Sequence, residues 1–559
     1  MQRFLSVAGR FRRDRSGNIA VIFTIAVLPI LAAVGCAVDY SMATRIRAKL
    51  QSAADAASVA SLSQKSAGYT AAAAMTGNGP VSAGVTESNE VFDGNVAAVT
   101  GYTNLSRTST MTKTGIQLAT NVQFSADVPA TFMKVVGHPT LTVSGSSSSA
   151  ASLPPYLDFY LALDVSGSMG LPSTTSEALR MQAVNPDNYV QYPTGCTLAC
   201  HFAPLQSACV DPPVTAPAAP PRNPPTTTTS YTQHYNTNNA CMGYAYSRVS
   251  QSLLTALVSR ATSAQYPKQV PGLPVRMLSG LPGSLNTDSR FGMAAASSCP
   301  TAGTDACIQL RLDAVGFALN ATMAANGVDG LLALAQEKEI VSNEFRIGLY
   351  PFITDIDSSY APLTSSINGS STTPGTINYA AANLASELDT NLNSTLGSGG
   401  THIDNAMHSI NSLITTVGTG SSSTSTQPYV FLVTDGAQDN QYKDVPNGNW
   451  HGSNHATVIN DSLHNTYPTI CATLKNRGII VSVLYIPYQT INPVNAAFAG
   501  DEDDYANLNI ANIPGSLQTC ASPPDAGGSY FYTASSPAEI QASLNAMFNH
   551  SLQTAHITN

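Results

Sequence analysis

Charge is scarce in this chain. Only 11% of its 559 residues are Asp, Glu, Lys or Arg, and 25 basic residues face 34 acidic ones, a formal net charge of −9. A nucleic-acid binder would want a basic face, so that partner class is excluded. Lys and Arg are sparse in the large C-terminal part, which leaves no broad surface there for anionic lipid. Catalytic signatures are missing too. The chain holds no nucleophile elbow, Walker phosphate loop, H-E-x-x-H helix or paired acid–base carboxylate motif, and we read it as a non-enzyme. Its length is too great for one simple core, so two or more folded units are expected.

What the chain does have begins with one apolar run. Ile19–Val38, "IAVIFTIAVLPILAAVGCAV", is 20 uncharged residues, enough to cross a bilayer as a helix. Arg3, Arg10, Arg12, Arg13 and Arg15 precede it against a single Asp14, while Asp39, Arg45, Arg47 and Lys49 follow. That bias predicts a cytoplasmic basic segment at 1–17, a transmembrane helix at 18–38 and everything else outside. The run exceeds a usual signal core and lacks a clean small-x-small cleavage site, so an uncleaved anchor is favoured over a signal peptide. Of nine cysteines, Cys36 lies in the span; the other eight, an even number, suit an oxidising compartment. Cys471 and Cys520 form an isolated pair predicted to bond. Connectivity among Cys196, Cys200, Cys209, Cys241, Cys299 and Cys307 stays open.

Beyond the span, 39–66 reads as a juxtamembrane helix. Met42, Ile46, Leu50, Ala53, Ala57 and Ala60 recur at steps of three and four, a narrow stripe for this protein's own outer domain or for a partner helix. Residues 67–152 turn Thr/Val/Ser-rich, with alternation in "IQLATNVQF"; a small β-rich stalk module is expected, closed by Ser144–Ser152 as a linker. From 153 to 553 short apolar segments (156–164, 345–353, 429–435, 479–487 and 529–534) alternate with helical patterns. That text implies a parallel sheet covered on both faces. Residues 171–305 stand apart as a large Cys-rich insertion with one plausible helix, "YAYSRVSQSLLTALVSRA".

The chemistry concentrates at strand ends, where open parallel sheets bind ligands. In "LALDVSGSMG" an apolar strand stops at Asp164, and Ser166 and Ser168 follow in the turn; Asp435 ends another strand in "FLVTDG"; Thr401 stands where the loop "GSGGTHID" enters a helix. Two carboxylates and three hydroxyls are oxygen donors only, a set for Mg²⁺ or for Ca²⁺ or Mn²⁺. With so few direct carboxylates the cation would keep residual positive charge, and an Asp or Glu from a partner could complete its shell.

These motifs resemble the metal-ion-dependent adhesion site (MIDAS) of von Willebrand factor A domains. The resemblance implies direct coordination by Ser166, Ser168 and, in the ligand-ready state, Thr401, with Asp164 and Asp435 often acting through water. "RDRSGNIAVIFTIAVLPILAAVGCAVDY" followed by "KLQSAADAASVA" resembles the TadE/TadG-like family of tight-adherence (Flp) pilus assembly, and "ATFMKVVGHPTLTVSGSSSSA" is similar to the segment before the A domain in its TadG-like members. Pilin-like members cut by prepilin peptidase carry a glutamate five residues after the cleavage glycine. Counting from Gly17, that position is Ile22, and the anchor is read as intact.

The expected fold is therefore α/β: a transmembrane helix, a β-rich module, then a doubly wound, Rossmann-like von Willebrand factor A domain carrying the insertion. The expected role is a single-pass inner-membrane component of bacterial pilus assembly with a periplasmic C-terminal domain, binding a protein partner that donates a carboxylate. A surface adhesin using the same site is the alternative, and a metal-dependent hydrolase a weaker one. Cys196–His201 resembles a haem attachment but has a three-residue spacer, and a disulfide role is preferred. Trp450–His455 and the acidic 500–509 read as exposed loops.

Overall fold

One helix, α1 (Gly17–Ala60), carries the apolar run and continues past it. The helical pattern runs on past the apolar stretch as the sequence suggested: a single 44-residue helix passes through Asp39 and stops at Ala60, short of the expected bound at 66. Between those two residues the sequence holds no Gly or Pro and is rich in Ala, so nothing local favours a stop. The computed structural model describes residues 17–184, 299–304, 307–322, 328–389, 395–397, 400–439, 442–443, 450–451, 455–459, 469–490 and 503–557. They fall into two units that divide between Leu153 and Pro154.

In the first unit α1 supplies its own partner surface. Ala43, Ile46, Leu50, Ala53, Ala54 and Ala57 are buried in one cluster with Phe92, Val96, Val122, Phe124, Ala126 and Val128. The stripe is thus used inside the unit, and it runs through Ala43, with Met42 left 52% exposed. Two further helices, α2 (Ala67–Ala74) and α3 (Ser82–Val96), occupy the start of the segment expected to be β-rich. The buried residues of α3 are Gly84, Ser88, Phe92 and Val96, one every fourth position, which is helical spacing. An antiparallel sheet follows, in the order β1 (Gly79–Pro80), β2 (Thr103–Thr114), β3 (Gln117–Pro129), β4 (Thr140–Ser152).

The Ser-rich stretch is a strand and not a linker. β4 pairs with β3 along its whole length, from Pro129↔Thr140 to Gln117↔Ser152. Small side chains suit this place because α1 lies on it: Ser58 Oγ is 3.1 Å from Ser147 Oγ and 2.8 Å from Ser149 Oγ. A Cβ on Gly145 would come within 2.6 Å of the Phe124 ring.

The second unit is built on a six-stranded sheet. Its strands are β5 (Leu157–Asp164), β6 (Phe345–Phe352), β7 (Ala361–Thr364), β8 (Gln427–Thr434), β9 (Ile480–Tyr485) and β10 (Phe531–Thr533), ordered β10-β9-β8-β5-β6-β7. All pairings are parallel except β6 with β7. All eight residues of central β5 are buried, which explains its largely apolar text; the charge inside it, Asp158, is paired with Arg346 at 2.6 Å. Leu157, Phe159, Leu161 and Leu163 point to one face, against α4 (Arg311–Asn320), α5 (Leu331–Lys338), α6 (Ile377–Ala382) and the C-terminal α10 (Pro537–Ile557); Tyr160 and Ala162 point to the other, against α7 (Ile403–Leu413), α8 (Ile470–Asn476) and α9 (Ile513–Cys520).

Cys471 and Cys520 form a disulfide, joining α8 to α9 as expected, and Cys299 pairs with Cys307. Cys196, Cys200, Cys209, Cys241 and the helix expected near 244–261 lie outside the described residues. The stems of the 171–305 segment are stitched together: Arg311 N donates to Leu171 O (2.8 Å), and Ser173 N to Gln309 O (2.9 Å). Two expected loops carry regular structure. Asp503–Asn509 is helical, and Trp450–His451 pairs with Tyr442–Lys443.

At the entrance to β6 the Glu344 carboxylate is buried and accepts the N–H groups of Ile340 (2.7 Å) and Val341 (3.3 Å). Burial outweighs those bonds and pushes its pKa up to about 7. A carboxyl raised in the folded state contributes stability below its unfolded value of 4.5 that is lost as pH climbs through 7. A shift of that size corresponds to about 3 kcal/mol. Glu344→Gln keeps an acceptor for both N–H groups, so denaturant unfolding between pH 4.5 and 7 is expected to show a flatter stability profile than wild type.

Candidate metal centre

The carboxyl ends of β5, β6, β8 and β9 share one edge, since Asp164 is level with Phe352, Leu163 with Val433, and Thr434 with Tyr485. Asp164 is the last residue of β5 and fully buried. Its two oxygens are fixed separately. Ser166 N donates to Oδ1 at 3.0 Å, closing the turn, and Thr434 Oγ1 donates to Oδ2 at 2.6 Å. Ser166 begins a single 3₁₀ turn (Gly167–Gly170) that folds Ser168 back, so the two serine hydroxyls lie 3.3 Å apart.

Asp435 follows β8 directly and is also fully buried. Neither of its carboxylate oxygens accepts a hydrogen bond of good geometry. Burial and the charge of Asp164 push its pKa up to about 7; the nearby Ser168 hydroxyl, the Arg311 guanidinium and the Ala437 N–H pull the other way. Burial also raises Asp164, against the hydrogen bonds from Ser166 and Thr434. Two buried acids whose charges act on each other disfavour ionisation, and a cation would relieve both. The turn after Asp435 requires its glycine: Gly436 has φ +83°, and a Cβ there would meet Ile513 Cγ2 at 2.4 Å.

Thr401 reaches the same edge through backbone ties. Its carbonyl accepts the Asp439 N–H at 2.8 Å, while His402 N donates to Ile353 O, one residue past β6, at 2.9 Å. Thr401 is buried just ahead of α7. The structure therefore brings Asp164, Ser166, Ser168 and Asp435 into one cluster and ties the Thr401 loop beside it. Sequence reasoning missed Thr434, although it stands in "VTDG" next to Asp435, and it missed Arg311. Arg311 opens α4, donates to Pro487 O at 3.2 Å and leaves Nη1 buried with no hydrogen-bond partner. Nothing in its local sequence pointed to this edge. Among the described residues no three or more His, Cys, Asp and Glu side chains gather as metal ligands; the candidate site is made of hydroxyls and two acids.

Residues 17–74 match the family model described as putative Flp pilus-assembly TadE/G-like. The TadE/G-like segment covers the apolar part of α1, its continuation and α2. A search of curated proteins finds no match. Two crystal structures of the pilus adhesin SpaC from Lactobacillus rhamnosus GG, one in an open conformation, align with 81% of this chain at 11% identity and TM-scores of 0.26 and 0.27. The chain spans about a third of that adhesin's length, 34% and 35% in the two cases. So loose a superposition carries no functional argument.

Proposed function

We propose that this chain is a membrane-anchored, periplasmic component of Flp/Tad pilus assembly that binds a protein partner through a divalent cation on a von Willebrand factor A domain. The TadE/G-like segment and the N-terminal apolar helix support the pilus and membrane parts of this reading. The excess of arginine before the span supports a periplasmic outer part. The sheet order, with helices on both faces and hydroxyl and carboxylate groups at its carboxyl edge, supports the A-domain assignment.

The observation that carries the site is Asp435, a buried carboxylate with both oxygens free of well-formed hydrogen bonds, facing a second buried acid. An oxygen-only donor set fits Mg²⁺, with Ca²⁺ and Mn²⁺ as alternatives. Ser166, Ser168 and Thr401 would supply neutral hydroxyls, and Asp164 and Asp435 the negative charge. Thr434 and the Ser166 N–H hold Asp164 in one orientation. A bound cation would supply an electrophilic seat for a carboxylate from the partner, and the role is one of binding without turnover.

A cross-linking pull-down tests this directly. Wild type is expected to capture one partner that is lost together in Asp164→Ala, in Thr401→Ala and in wild type treated with chelator. A partner retained in all three would overturn the metal-dependent reading.

A further inference from the structure

The first unit holds an exposed apolar loop in an unusual place. Residues 130–139 connect β3 to β4 and fold back onto the end of the apolar run in α1. The Asp39 carboxylate accepts three successive N–H groups from this loop: Thr131 on Oδ1 at 3.0 Å, and Phe132 and Met133 on Oδ2 at 2.8 and 2.7 Å. Asp39 is only 2% exposed as a result. Phe132 then lies directly on Gly35, where an added Cβ would stand 2.5 Å from Phe132 Cβ. A helix rises about 1.5 Å per residue, so this contact sits roughly one turn inside the apolar run that ends at Val38.

The loop does not bury the apolar groups it brings there. Phe132 is 48% exposed and Val135 is 86% exposed, at a 3₁₀ turn (Met133–Val136) that ends on Gly137. Lys134, between them, and His138 are exposed as well. Such a loop on a soluble domain would face water at a cost. Beside a membrane span, at the depth of its last turn, the same side chains face acyl chains, and a lysine stem can carry its ammonium to the headgroups. Asp39 fits this setting for a related reason: its charge is already satisfied by three N–H groups, so it can stand at the edge of the hydrocarbon without water.

We infer that the loop 131–138 is a second membrane contact, with Phe132 and Val135 seated in the lipid interface where α1 leaves the bilayer. This rests on the reading of α1 as a membrane span. The loop and the helix then form one wedge, and Asp39 is the joint that fixes the angle at which the first unit stands on the membrane.

The test uses the full chain in proteoliposomes containing brominated phospholipid, with an environment-sensitive fluorescent amino acid placed singly at position 23, 135 or 112. Phe23 is on the exposed face of the span, and Thr112 lies far along β2, opposite Ala119. Position 135 tolerates the label because its side chain makes little contact with the fold. The inference expects blue-shifted, quenched emission at 23 and 135, and unquenched emission at 112. Quenching at 23 with 135 behaving like 112 would overturn the loop contact and leave the span standing, pointing instead to a protein partner for Phe132 and Val135. Absence of quenching at both 23 and 135 would overturn the span and the inference together.

Discussion

Asp435→Asn will stabilise the cation-free protein and make it indifferent to divalent cations. Substitution at a buried acid usually destabilises, so the sign is the informative part. Asp435 is raised first by burial and next by the charge of Asp164; the attraction of Arg311 ranks below both. Removing the charge therefore relieves more repulsion and desolvation than it forfeits in attraction. A gain of about 1–3 kcal/mol is the expected scale for separating two buried like charges. If the proposed centre binds Mg²⁺, wild type is expected to gain in the opposite way, by about 2.7 kcal/mol when Mg²⁺ is at a hundred times its dissociation constant. Denaturant unfolding of the detergent-solubilised protein, with Mg²⁺ and with chelator, measures both. A variant that loses several kcal/mol in chelator would show that Asp435 serves as the counter-charge of Arg311, and the binding proposal would lose its central observation.

The parts of this chain that could be read in advance are those where one local property decides the structure. An uncharged run of 20 residues is a helix long enough for a bilayer whatever surrounds it. The buried strands of the second unit are short, nearly continuous apolar segments because both faces are covered, and Asp164 and Asp435 stand out as charges at the end of one strand and just past the end of another. Where the structure departs from expectation, the deciding partner is distant. Ser144–Ser152 has the composition of a linker, yet its small hydroxyls are what α1 needs in order to lie on β4. The buried face of α3 includes Gly84 and Ser88, so no apolar periodicity marks it. Met42 and Ala43 compete for one stripe, and only the sheet beneath α1 selects the alanine. The same holds at the candidate centre: the hydroxyls announced themselves in "DVSGSM", while Arg311 arrives on a helix beyond the 171–305 segment.

Phe159→Ala will cost more than any single change at the sheet edge. The ring is fully buried at the middle of β5, with centroids of Phe548, Phe431, Tyr429 and Phe345 at 5.1, 5.3, 5.5 and 6.3 Å. Four rings around one cannot all close the gap, because Phe345, Tyr429 and Phe431 are fixed by strand pairing on either side of β5. The loss is therefore expected at about 3–5 kcal/mol, the range for a buried phenylalanine whose cavity cannot collapse. Phe548 belongs to α10, which has no strand pairing to hold it and also packs on Phe345 (5.3 Å). It is the ring free to move. Hydrogen exchange should show α10 opening first in the variant, and the pair Phe159→Ala with Phe548→Ala should cost less than the sum of the singles because both empty one cavity. A loss below about 1 kcal/mol, with α10 still protected, would mean that the helix swings inward to fill the space. In that case the C-terminal helix is a movable lid on the sheet, not one of its fixed supports.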